Sequence, residues 1–438
     1  MNYPKIIYGY VNLDGQKYAF ALDGFVGRIF NGVSGFCFSE KIKLPDILYG
    51  VTDNNYNIAL SVRSSTKSVN CIRFSIDYYA VGTANLRNYD LSTFDSIEFI
   101  GGTGNCILDP ELIYPPYQFE DNIYENGCSI KFRPLKDIAK EYKISIQGIN
   151  CIFKSTISPY SEREGNKLGF TNSVISLKFE NEQPLEKFSN YYLMLTKISS
   201  LLVRQQNVEF DKIICYFKDE QHIGSANIYV NHGFKDIVDK KPIRTISLRS
   251  MDRVFSKFIE IIDSEDFSIN FLPKNNSDAH YVAYDSIKNI CTALEFEFSK
   301  SKIKKEKEPI IVELVEKVKK LIKEYKEETP TLTEKAYQSI MGSTSKWTFP
   351  ATEQFNALYE VSKSVVDKIL GQKNLEITEP LIQSFVKCRN EITHGNKPKL
   401  TTEIANTSYS MIILIYVSLF KRIGLNDDEL EQAFEMIF

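Results

Sequence analysis

The sequence predicts an α+β protein of two domains: a β-rich, sandwich-like N-terminal domain over residues 1–245 and an all-α helical bundle over 246–438. Three observations carry this. The chain has 438 residues, more than one ordinary core accommodates. Its first half runs in short segments rich in β-branched and aromatic residues, often alternating apolar with polar, and broken by Gly, Asn, Asp and Pro. Its second half repeats apolar residues every three or four positions over long stretches.

The segments "KYAFAL", "NIALSVRS", "CIRFSIDYYAV", "SIEFI", "CSIKFR", "KISIQGI" and "SVISLKFE" read as strands of a sandwich or barrel. An amphipathic helix over 185–205 interrupts them, and the strand-like "KIICYFK" follows. From about residue 248 helices take over. Ser250 is a candidate cap for "MDRVFSKFIEIID", and Ser277 or Asp278 for the next helix, which runs to about Ser301. That helix has a stripe at Tyr284, Ile287, Cys291, Leu294 and Phe298. Pro309 suits the first turn of another. A polar loop with Gly342 and Trp347 is expected next, then helices over 351–370, 378–394 and 401–422, and a short one in "DDELEQAFEMI". Such a series suggests a bundle.

Composition narrows the function. With 43% hydrophobic and 25% charged residues the chain reads as globular. A net charge of −3 gives no global basic excess, so a nucleic-acid partner needs a local patch. The N-terminal stretch lacks the basic and apolar regions of a signal peptide, and "YSMIILIYVSLF" (409–420) is short for a bilayer span. The expected location is therefore the cytoplasm, with the 8 cysteines reduced. They form no C-x-x-C pair and none has zinc-ligand spacing to a histidine, so neither metal nor cofactor is expected.

The stretch "KCRNEITHGNKPK" (387–399) carries the chemistry. Leu381, Ile382, Phe385, Cys388 and Ile392 define the apolar stripe of its helix, and Arg389 falls within that stripe. A guanidinium on a buried face is costly unless it is paired or faces a polar cavity. Asn390 and His394 are four apart and share a flank. Gly395 suits a left-handed helix end. On an ideal helix Arg389 and His394 point about 140° apart, so convergence requires a distorted last turn or a second copy across a two-fold axis. Histidine can move a proton near neutral pH, and the arginine fork binds phosphate oxygens. Together they suit metal-free RNA cleavage by the ribose 2′-OH, with Arg389 stabilising the developing charge. Lys387, Lys397 and Lys399 flank the motif as candidate phosphate contacts. The alternative reading is an exposed helix-end His394 and an Arg389 paired with a core carboxylate.

The R-x4-H segment "RNEITH", followed by one long helix, resembles the HEPN superfamily of α-helical, mostly dimeric domains. The β-rich half, the helix "PLEKFSNYYLMLTKISSLL" and "ALEFEFSK" (293–300) make the layout similar to ApeA-like proteins of anti-phage defence. The resemblance implies a metal-independent endoribonuclease, with tRNA a candidate substrate, acting in abortive infection as a homodimer or higher homo-oligomer that answers a phage-derived trigger. It carries over Arg389 and His394 as catalytic and Asn390 as supporting. Some HEPN domains have lost activity and bind a nucleotide or a partner instead, and that is the second reading.

Other features read as structural. The lysine-rich run over 300–328 is interrupted by glutamates, like the solvated face of a helix. "SKWTFP" holds the single Trp, which suits a loop anchor. "GGTGN" (101–105) lacks the ending of a phosphate-binding loop and reads as a turn opening no clear helix. His222, His232 and His280 form no ligand cluster, and no G-x-S-x-G occurs.

Overall fold

The computed structural model describes residues 6–30, 43–68, 71–83, 91–108, 139–160, 170–218, 223–232, 245–275, 277–301, 303, 309–329, 331–347 and 350–435. The chain forms two compact units, Met1–Ser264 and Glu265–Phe438. The division lies beyond residue 245 because the helix Phe255–Asp263 packs onto strands: the Phe255 ring stacks on Tyr142 at 4.0 Å and meets Phe153 at 4.7 Å.

In the first unit the strands are β1 (Ile7–Leu13), β2 (Gln16–Asp23), β3 (Val26–Phe30), β4 (Ile47–Thr52), β5 (Asn57–Lys67) and β6 (Cys71–Gly82). They continue with β7 (Thr93–Ile100), β8 (Lys140–Ile146), β9 (Ile149–Tyr160), β10 (Phe170–Pro184), β11 (Lys212–Lys218) and β12 (Ile223–Val230). Among the described residues they make one antiparallel sheet in the order β3-β2-β1-β4-β5-β6-β12-β11-β7-β10-β9-β8. The additional pairing of β3 with β6 closes the first six strands into a barrel, and the other six continue as an open sheet. Strand β6 serves both. Its Cys71–Ser75 end pairs with β3 and its Tyr78–Gly82 end with β12.

Strict alternation explains the barrel. β1 reads buried, exposed, buried throughout, which sends Ile7, Val11 and Leu13 inwards against Phe20, Leu22, Ile29, Ile72 and Phe74. The interior is tight enough to demand glycine. A Cβ on Gly27 would meet the Phe74 ring at 2.1 Å, and one on Gly9 would meet the Val51 carbonyl at 2.3 Å. Turns are set by left-handed residues: Asp14 and Gly15 between β1 and β2, and Gln147 and Gly148 between β8 and β9. The second turn splits "KISIQGI" into two strands. The expected strand "CSIKFR" lies outside the described residues.

Among the described residues, three helices accompany these strands. α1 (Thr103–Leu108) follows directly from "GG", so that segment does open a helix. Gly101 and Gly102 are left-handed, and the Gly102 amide donates to Asp211 at 2.6 Å. α2 (Phe188–Val203) is the amphipathic helix expected over 185–205, preceded by a 3-10 turn. α3 (Phe255–Asp263) follows a 3-10 turn, Leu248–Val254, whose cap is Ser247 rather than Ser250.

The second unit is helical: α4 (Tyr284–Lys300), α5 (Pro309–Glu328), α6 (Glu334–Trp347), α7 (Ala351–Gly371), α8 (Glu379–Thr393), α9 (Thr402–Ile423) and α10 (Asp427–Glu435). α4 begins later than expected, because Ser277–His280 form a 3-10 turn before it. The expected polar loop around Gly342 is helix α6, and the Trp347 side chain lies outside the described residues. The lysines of α5 pair with glutamates one turn away, as in Lys317–Glu313 at 2.5 Å and Lys319–Glu316 at 3.2 Å. α9 is the core helix. It is long and apolar enough to cross a membrane, yet 72% of its most apolar window is buried. Thr401 caps it, and Gly424, left-handed at φ 116°, ends it.

Candidate active site

Helix α8 carries the motif. Thr378 precedes it in extended geometry and Pro380 occupies its first turn, where a missing amide hydrogen costs nothing. Ile382, Phe385, Val386, Cys388 and Ile392 are buried, so one face is fixed against α4, α7 and α9. Arg389 lies at the margin of that face. Its side chain is 22% exposed, and Nη2 bonds to Glu295 of α4. Glu295 is 41% exposed, so this ion pair opens to solvent and is no sealed core pair. The Arg389 Nε is buried and has no hydrogen-bond partner among the described residues. The buried Cys291 thiol lies one turn before Glu295. Burial pushes it up to about 12, against the lowering effect of the adjacent guanidinium.

His394 is the last-turn residue of α8, and the backbone around it is fixed by three bonds. His394 N donates to Asn390 O at 3.0 Å, Gly395 N to Ile392 O at 3.1 Å and Asn396 N to Glu391 O at 2.9 Å. The last two, with Gly395 at φ 84°, form a Schellman motif. The His394 ring is exposed and makes no side-chain hydrogen bond to another described residue. Lys387, Asn390 and His394 are all exposed and recur at helical spacing, so they share one flank of α8. Lys397 and Lys399 are exposed on the connector to α9. Tyr284, at the start of α4, holds that connector by donating to the Pro398 carbonyl at 3.0 Å. None of the three lysines forms an ion pair with a described residue. Arg389 meets α4 while His394 lies on the outer flank, so within one chain the two occupy different sides of α8.

Three contributors were not singled out from sequence alone as parts of the site: Glu295, Cys291 and Tyr284. Glu295 had a signal. It lies in "ALEFEFSK", one turn after the buried Cys291 and beside the apolar stripe of α4, where a carboxylate is placed to meet a cation from a packed helix. The same segment supplies Glu297 to a second arginine. Arg422 of α9 bonds both Glu297 oxygens, at 3.0 and 2.9 Å, and Asp266 at 2.9 Å. Glu297 is 3% exposed, and burial, only partly offset by Arg422, raises its pKa. Of the remaining histidines, His232 follows β12 and shares a 2.8 Å hydrogen bond with Tyr192, while His280 is exposed in the turn before α4. His222 lies outside the described residues.

No curated protein and no solved structure matches the chain. A family model does match, over residues 274–429, from the turn before α4 into α10, and therefore spans Glu295, Arg389 and His394. The family so matched, and to which this helical segment is similar, is the Apea-like HEPN domain.

Proposed function

We propose that the chain is a metal-independent endoribonuclease of anti-phage defence, acting in the cytoplasm. The observation that carries the reading is the state of Arg389 within the family-matched segment: paired by Glu295 at a solvent-open site, on the same helix that ends in an exposed His394. A guanidinium held in place but open to water can accept a phosphate.

In this reading the ribose 2′-oxygen attacks the adjacent phosphorus. His394 takes the 2′-OH proton and returns a proton to the departing 5′-oxygen. Arg389 stabilises the charge on the phosphoryl oxygens, and Asn390 orients the phosphate. The products are a 2′,3′-cyclic phosphate and a 5′-hydroxyl. Lys387, Lys397 and Lys399 hold the flanking backbone. Because Arg389 and His394 occupy different sides of α8, the complete site combines two copies of the chain in a homodimer, and tRNA is the first substrate to try. The β-rich unit restrains the nuclease until a phage-derived trigger arrives.

The Arg389–Glu295 pair also favours a second reading, in which the domain binds a nucleotide or partner and cuts nothing. End-labelled total tRNA incubated in EDTA separates the two. The expected result is cyclic-phosphate ends from the wild type, reduced at least a hundredfold in Arg389→Ala and in His394→Ala. Binding of RNA without cutting, with and without lysate of phage-infected cells, supports the second reading.

A further inference from the structure

The outer face of the barrel has features its fold does not need. Along β1 the outward residues include Tyr8 and Tyr10, 51% and 47% exposed, and along β3 they are Val26, Arg28 and Phe30, Phe30 being 40% exposed. Between these strands β2 presents Lys17, Ala19, Ala21 and Asp23 outwards, with the two alanines in the middle. Register makes two rows of this. Tyr8 faces Ala21, which faces Arg28, and Tyr10 faces Ala19. Phe30, one step beyond the Phe20–Ile29 pair, comes level with Ala19. The result is a shallow groove floored by two alanines and walled by Tyr8 and Tyr10 on one side and by Arg28 and Phe30 on the other. The walls are two strand spacings apart, roughly 10 Å, which admits a flat ring between aromatic side chains.

One feature of the face points to an anion. Arg28 pairs in register with Arg73 of β6, and both are exposed. Like charges directly opposite on neighbouring strands destabilise a sheet. Neither arginine has a carboxylate partner among the described residues. Asp77 is taken by Arg63, and Asp23, diagonal to Arg28 on the outer face of β2, makes no ion pair with it among the described residues. Asp53, level with Tyr8, stands three strand spacings from Arg28, roughly 14 Å. Lys17 adds a third cation, over the Tyr10 ring at 4.5 Å from its centroid.

We infer that this groove binds single-stranded RNA: bases stack on Tyr10 and Phe30, and Arg28 and Arg73 hold successive phosphates. Stacking platforms interleaved with cations suit single strands, whose bases are free to leave the helix. A peptide adding as a strand is disfavoured at the groove, because β1, β2 and β3 each pair with a neighbour on both sides. The choice of RNA over DNA rests on the ribonuclease reading. The groove itself does not.

The test measures binding of a fluorescent 20-nucleotide polyuridine to the full chain carrying His394→Ala, so that cleavage plays no part. Tyr10→Ala with Phe30→Ala is expected to weaken binding at least tenfold. Arg28→Gln with Arg73→Gln is expected to flatten the dependence of log K on log salt by about 1.4, two phosphates' worth for a single strand. Relieving the like-charge pair should also raise the melting temperature of that variant, which excludes misfolding as the cause. Unchanged affinity and salt slope in both variants overturn the inference, as does a chain that binds no polyuridine. Loss of binding to an acidic peptide with RNA binding intact overturns it in favour of a protein partner. If the barrel variants lose binding while wild type cuts nothing in EDTA, with or without lysate of phage-infected cells, the groove stands and the ribonuclease reading falls.

Discussion

Arg389 and Arg422 illustrate two uses of an arginine beside a helical core. Arg422 is 16% exposed, its main partner Glu297 is 3% exposed, and three of its nitrogens bond to Glu297 and Asp266. Such a network fixes α4 against α9 and leaves little for a ligand to take. Arg389 has one carboxylate bond, to a residue 41% exposed, and keeps donors for a phosphate. Glu295 is accordingly a positioning residue for Arg389, and its two roles can be separated. Glu295→Gln keeps an acceptor for Nη2 but removes the charge that competes with phosphate. It should bind RNA more tightly while retaining most of the cleavage rate. Glu295→Ala removes the acceptor as well, so kcat should fall at least tenfold, with a stability loss of only about 1 kcal/mol because the pair is open to water. The comparison is made by single-turnover cleavage with denaturant unfolding alongside. Equal kcat in both variants would leave Glu295 without a positioning role.

At the scale of elements, the barrel depends on a size match between strands. Gly27 faces inwards, where a side chain would collide with the Phe74 ring. Gly27→Val should therefore destabilise the β-rich unit by about 1–3 kcal/mol, the usual cost of overpacking. Adding Phe74→Leu should recover part of that loss in a thermal melt. If the double variant is no better than the sum of the single ones, the clash is not the cause. This match also shows what the sequence could and could not reveal. The strands of "NIALSVRS" and "CIRFSIDYYAV" follow from alternation alone. Barrel closure depends on β3 meeting β6, two segments separated by forty residues, and no local period encodes such a pairing. Helices α7 to α9 were legible within one or two residues because their stripes are long. The start of α4 was not, since Ser277 and Asp278 look like caps but form a separate turn. At the site, Arg389 was legible as a residue that needs a partner. Its partner Glu295 was legible only as a carboxylate beside an apolar stripe; that the two helices meet there was not, since no local pattern encodes their packing.

For the molecule as a whole, the division into two compact units raises the question of whether each folds alone. Within Glu265–Phe438, α9 is largely buried and packs against α4, α7, α8 and α10, and the Arg422 network joins Asp266, Glu297 and Lys300. The partners of the candidate site, Glu295, Cys291 and Tyr284, lie there too. A fragment of residues 265–438 should therefore be helical by circular dichroism and melt cooperatively. A fragment without a cooperative melt would mean that the helical unit takes essential stability from the other. If the fragment folds, it isolates the role of the β-rich unit. Restraint predicts that the fragment, expressed in cells, slows growth more than the full chain does, and that His394→Ala removes the effect. The barrel groove predicts the opposite sign for binding: the fragment should hold single-stranded RNA at least tenfold more weakly than the full chain. These two effects are compatible, because one concerns the rate at which an assembled site acts and the other the affinity with which RNA is held. A fragment both less toxic and weaker in binding would show that the β-rich unit delivers substrate and restrains nothing.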